Sequence, residues 1–191
     1  MSLADIYSKG VVTQKCVLSI TEIGKNLKQI LENKLKYKLE GKCCKDGFVR
    51  PDSLQIVSYS SGKVFEGSKV EFEVVIEAHF AFPVEGMLID AVANNITKAG
   101  IKAAIPDMDP SPIILFISRD HFSMDDYFRN VKEGEKIVVR VIGQRFELND
   151  PFISVIGELV KPRVAPTQGP KIQTAVGNEQ GDKQQPYVVL E

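Results

Sequence analysis

The chain has 191 residues, 43 % of them apolar, and sets 24 Lys and Arg against 25 Asp and Glu for a formal net charge of −1. That length holds one ordinary domain or two small ones, and no apolar run is long enough to span a bilayer. Near-neutral charge argues against a strongly basic nucleic-acid binder, and dividing the chain does not alter this: residues 1–82 hold 12 basic against 10 acidic side chains, residues 83–162 hold 9 against 12, and the remainder 3 against 3.

Residues 1–7 carry Asp5 and lack both a basic start and an apolar core, so no secretory signal is expected and the expected location is intracellular. The cysteines are Cys16, Cys43 and Cys44, an odd count with two adjacent members, which argues against a disulfide framework. With only His79 and His121 and no Cys-x-x-Cys, neither a metal nor another cofactor is expected.

In chain order, residues 10–20 read as a strand. A helix is expected next, opened either by Ser19-Ile20-Thr21-Glu22 in the S-x-x-E form of a capping box or by Thr21 as the cap. Ile23, Leu27, Ile30, Leu31, Leu35 and Leu39 give it an apolar stripe, and Gly41 ends it. Its lysines, Lys25, Lys28, Lys34, Lys36 and Lys38, read first as a solvated face, with phosphate contact as the minor reading. A turn-bearing strand follows at 41–49, with Asp46-Gly47, then a strand at 54–59. Residues 58–63 have turn composition. From 70 to 80, Val70, Phe72, Val74, Ile76, Ala78 and Phe80 alternate with Glu71, Glu73, Glu77 and His79, the period of a half-buried strand.

At Phe82-Pro83-Val84-Glu85-Gly86 this pattern stops and a second one begins. Short strands are expected at 87–92, 100–105, 113–117, 137–142 and 152–160, a spacing that suits a small Greek-key barrel of the OB kind. The fold class is therefore α+β: a β-α-β-β-β module over residues 1–82, a five-stranded OB barrel over 83–162, and a polar, extended tail over 163–191. The tail ends in the apolar cluster Tyr187-Val188-Val189-Leu190, which suits either a docking peptide or a strand packed on its own protein.

Five segments resemble the larger stalk subunit of archaeal and eukaryotic RNA polymerases, the family of the seventh subunit of RNA polymerase II. They are the helix end Leu35-Lys36-Tyr37-Lys38-Leu39-Glu40-Gly41-Lys42-Cys43, the strand Val70-Glu71-Phe72-Glu73-Val74 leading to Phe80-Ala81-Phe82-Pro83, then Val84-Glu85-Gly86-Met87-Leu88, Ala99-Gly100-Ile101-Lys102-Ala103 and Val155-Ile156-Gly157-Glu158-Leu159. They fall in the family's order over roughly residues 8–162. The divergence elsewhere and the added tail are similar to those of a polymerase subunit encoded by a large DNA virus.

The resemblance implies an S1-type barrel, no catalysis, docking of the first module on the polymerase core, a smaller helical partner along both modules, and contact of the barrel with nascent RNA or transcription factors. It implies no membrane, and a nuclear location if the protein is cellular, or cytoplasm or virion if viral. By position in the resemblance, Asp46, Phe48, Lys63 and Phe65 are the docking candidates. Lys98, Lys102, Lys136, Arg140 and Arg145 are the RNA-binding candidates, Lys136 and Arg140 sharing a strand parity. One departure stands out: where S1-type barrels often carry an aromatic on the second strand, this chain offers Ile101, leaving Phe122, Tyr127 or Phe146 to substitute.

Catalysis finds no support in the residues. Pro106-Asp107-Met108-Asp109-Pro110 reads as a turn that lacks the glycine and distal glutamate of a calcium loop, and Asp120-His121 has no marked nucleophile. The alternative function is a free-standing OB-type RNA-binding protein in translation or RNA turnover; an initiation factor with a similar barrel explains less of the first module.

Overall fold

The computed structural model describes residues 6–119 and 126–161. The expected tail and the segment holding Asp120, His121, Phe122 and Asp125 lie outside them.

The first half comprises β1 (Tyr7–Ser19), α1 (Leu27–Leu39), β2 (Cys43–Cys44), β3 (Gly47–Val49), β4 (Gln55–Tyr59), β5 (Lys63–Phe65) and β6 (Lys69–Ala81). β6 is its spine. The six apolar residues read at 70–80 all face one buried side, and β1 runs antiparallel along the whole strand, from Tyr7 opposite Ala81 to Ser19 opposite Lys69. The other edge of β6 is shared end to end: β3 pairs with Phe80 and Ala81, β4 with residues 74–77, and β5 with residues 69–71. Two strands more than expected result, because residues 41–49 form a hairpin rather than one strand and Lys63–Phe65 resumes pairing after a kink. At that kink the Ser60 hydroxyl accepts the Glu73 N–H at 3.0 Å, holding the detached chain against β6.

Leu31, Leu35 and Leu39 recur at i, i+4 and are buried against the sheet, each burial stabilising by about 1.5–3 kcal/mol. The helix begins seven residues later than the capping box implies. The box forms, with the Ser19 N–H donating to the Glu22 carboxylate at 2.9 Å, but it caps a single 3₁₀ turn, Ile20–Glu22. Ile23 is extended and Gly24, a poor helix former, follows, so the turn cannot propagate. The helix stops at Glu40, whose backbone is extended, and Gly41, at φ +70°, then turns the chain so that its N–H donates to the Val49 carbonyl at 2.9 Å.

The second half holds β7 (Leu88–Ile96), β8 (Gly100–Ala104), β9 (Ile113–Ser118), α2 (Asp126–Asn130), β10 (Lys136–Arg145) and β11 (Ile153–Val160). Five strands close as β7-β8-β9-β11-β10 and back to β7, every pair antiparallel except β9 with β11. This is an OB-type barrel, with the short helix between its third and fourth strands. Its interior is filled by inward residues of all five strands, including Ile89, Ile101, Leu115, Val139 and Val155.

The two halves are packed into each other at the seam. Cys43, Phe48 and Ala81 are buried in the same cluster as the barrel interior. The Cys43 N–H donates to the Asp150 carbonyl and the Asn149 N–H to the Cys43 carbonyl, both at 2.8 Å, a strand-like clasp between β2 and the β10–β11 loop.

Candidate nucleic-acid interface

On β8 the pleat turns Ile101 and Ala103 inward and Gly100, Lys102 and Ala104 outward. On β9 it turns Ile113, Leu115 and Ile117 inward and Ile114, Phe116 and Ser118 outward, and on β11 Ser154, Ile156 and Glu158 face out. Register then assembles a row across the barrel wall: Asn95 opposite Lys102, Lys102 opposite Phe116, Phe116 opposite Ile156, and Ile156 opposite Gly143.

Phe116 is 43 % exposed and Ile156 55 %, and with Lys102 they line an open groove of about 500 Å³ whose upper wall is the β7–β8 turn. The turn is held firmly. Thr97 N–H donates to the Gly100 carbonyl at 2.8 Å, and Arg119 donates through its backbone to Ala99 (3.0 Å) and through its guanidinium to the Thr97 carbonyl (3.1 Å). Gly100 must lack a side chain, because a Cβ there would run into the Ile117 carbonyl oxygen.

The expected RNA-binding residues separate into three places. Lys102, in the row, is exposed and lines this groove, while Lys98 is exposed on the turn between the groove residues Thr97 and Ala99 but does not line it. Arg140 and Arg145 lie on β10 and face Glu158 at 3.6 Å and Glu147 at 3.5 Å respectively. Lys136 is exposed like Arg140, as their shared parity requires, but sits at the start of β10 opposite Val92, in a separate hollow with Asp107.

The aromatic expectation is corrected. Ile101 is 1 % exposed and belongs to the barrel core, so it does not occupy a stacking position at all. Neither described substitute is a free platform: Tyr127 is half-buried against the core, and Phe146 packs there too, edge-on to Phe82 at 6.1 Å between centroids. Phe122 lies outside the described residues. Among the described barrel strands the exposed ring is Phe116, one strand over, beside Lys102. A planar apolar face next to an ammonium can take a base and its phosphate together.

The docking candidates also separate. Phe48 is buried at the seam, so its ring joins the two halves of this chain and is not a surface contact. Asp46 is half-buried in the same hairpin. Lys63 and Phe65 lie on β5, where Lys63 faces Glu71, while Phe48 faces Ala81. Ten residues at about 3.3 Å each put the two groups roughly 33 Å apart along β6, too far for one contact. Lys63 is exposed; the Phe65 side chain lies outside what is described. Around Lys63, at the end of the sheet away from the barrel, Val64 is 80 % exposed and Ile20, tied to Ser68 by a 2.8 Å backbone bond, is exposed as well.

Neither a protein-family model nor a curated protein sequence matches the chain.

Proposed function

We propose that the chain is the larger stalk subunit of a multisubunit DNA-dependent RNA polymerase, a noncatalytic part that docks by its first module and holds its barrel toward emerging RNA or a transcription factor. The observation that carries this reading is an uncovered apolar strip at the seam. Phe82, Val84, Leu88, Ile142 and Leu148 are all exposed, and hydrogen bonds from Gly86 to Val141 and from Val141 to Met87 bring the connecting segment alongside β10. Exposed apolar residues running from the boundary residue Phe82 into the barrel are what a smaller subunit seated at the seam would cover. The far end of the sheet, with Lys63, Val64 and Ile20 exposed, supplies a docking tip, and the clasp at Cys43 ties that module to the barrel.

The groove at Phe116 and Lys102 supports the RNA half of the proposal, and it equally supports the second reading, a free-standing OB-type RNA binder, since it needs no polymerase. Fluorescence anisotropy with a labelled single-stranded RNA tests the groove. Phe116→Ala is expected to weaken a salt-dependent interaction by about 1–3 kcal/mol with the melting temperature unchanged. Equal affinity in Phe116→Ala and Lys102→Gln would remove the barrel face from the account.

A further inference from the structure

Residues 25–50 carry eight basic side chains against three acidic ones, in a chain whose net charge is −1. Part of this is ordinary helix electrostatics: Lys36 pairs with Glu32 at 2.9 Å, Lys34 meets Glu22 at 3.3 Å, and Lys36 and Lys38 in the last turn oppose the helix dipole. None of this accounts for Tyr37. It sits on the side of α1 opposite Leu31, Leu35 and Leu39, and it is 87 % exposed, an aromatic ring left in water in the middle of a lysine run. Lys34, one turn before it, and Lys38, the next residue, lie to the same side of it around the helix, and the Lys42 ammonium lies 5.5 Å from the ring centroid, occupying one face and leaving the other open.

We propose that this face of α1 is a second contact for single-stranded nucleic acid, with a base stacked on Tyr37 and neighbouring phosphates held by Lys34, Lys38 and Lys42. Lysines alone would suit any acidic surface; the open aromatic face among them is the feature that suits a nucleobase. The place is also right for a strand that has crossed the barrel. Ile156 adjoins Phe116, Ser154 two residues earlier faces Arg145, and the loop beyond Arg145 is hydrogen-bonded to Cys43, next to Lys42. Two contacts on one chain whose halves are joined at the seam raise each other's effective concentration. The helix contact uses residues distinct from the barrel groove, so the two stand or fall separately.

The test uses the full chain, a labelled oligouridylate and a salt series. Tyr37→Ala is expected to weaken binding roughly fivefold or more, with Tyr37→Phe close to the parent. The triple variant Lys34→Gln, Lys38→Gln, Lys42→Gln is expected to flatten the slope of log K against log salt by about 2. Both effects should persist in a Phe116→Ala background. All four positions lie on the outer side of the fold or its rim, and circular dichroism melts check that the variants stay folded. Unchanged affinity and slope in these variants, absence of RNA binding by the parent chain at low salt, or displacement of RNA only through Phe116 would each overturn the proposal. Binding of polyglutamate but not RNA at Tyr37 and the lysines would overturn it too, and assign the face to an acidic protein.

Discussion

Cys43 and Cys44 are consecutive, and consecutive residues on a strand face opposite ways. β2 is buried on both sides, so Cys43 enters the cluster shared with the barrel while Cys44 enters the cluster beneath α1. The two thiols thus fill different clusters, one on each face of a strand buried on both sides. Burial, with Asp150 and Cys44 nearby, pushes the Cys43 thiol up to about 12 from an ordinary value of 9.0. Between those values the unfolded chain has lost a proton that the native one keeps. Stability from this group is therefore intact below about pH 9 and falls as pH rises toward 12, by at most about 1.4 kcal/mol per pH unit. Cys43→Ala should show a shallower loss of melting temperature over that window. Alkylation mapped by mass spectrometry at pH 8 should leave Cys43 and Cys44 unmodified in the folded protein and label both in denaturant; labelling of the folded protein would contradict the two-sided burial.

Among the elements, the β2–β3 hairpin joins the halves. Phe48→Ala removes a buried ring from the shared cluster and is expected to destabilise by about 3–5 kcal/mol, with faster hydrogen exchange at the Cys43 and Asn149 amides that form the clasp. An unchanged melting temperature would mean the halves do not depend on each other there. The spine strand β6 was legible because one face meets the core and the other meets water, so Glu71, Glu73 and Glu77 mark the period. β9 offers no such contrast. Ile113-Ile114-Leu115-Phe116-Ile117 is apolar throughout, so nothing in its residues separates the outward Phe116 from the inward Leu115; register against β8 does so. Ile101 takes the stacking position only by its place in the resemblance; Lys102 beside it marks the outward parity of β8 and turns Ile101 inward. The hairpin was hidden because its strands are only two and three residues long and both faces are buried. The capping box was legible as chemistry but not as a boundary, since Gly24 cuts its turn off from α1.

At the scale of the molecule, three surfaces lie in sequence: the tip at Ile20, Lys63 and Val64, the apolar strip at the seam, and the barrel groove at Phe116. The proposed stalk uses them for the polymerase core, the smaller subunit and RNA. Val64 is almost free of neighbours, so Val64→Glu should change stability by no more than about 0.5 kcal/mol. It should nevertheless weaken incorporation into polymerase, whereas Phe116→Ala should assemble normally; quantitative pull-down of both variants distinguishes tip from groove. The most direct measurement is native mass spectrometry of the complex recovered from the native source in gentle salt with a tag on this chain. The account predicts the large polymerase subunits together with this chain and one small helical protein in equal copies. Recovery of the chain alone, or with ribosomal components, would contradict it and leave the free RNA binder.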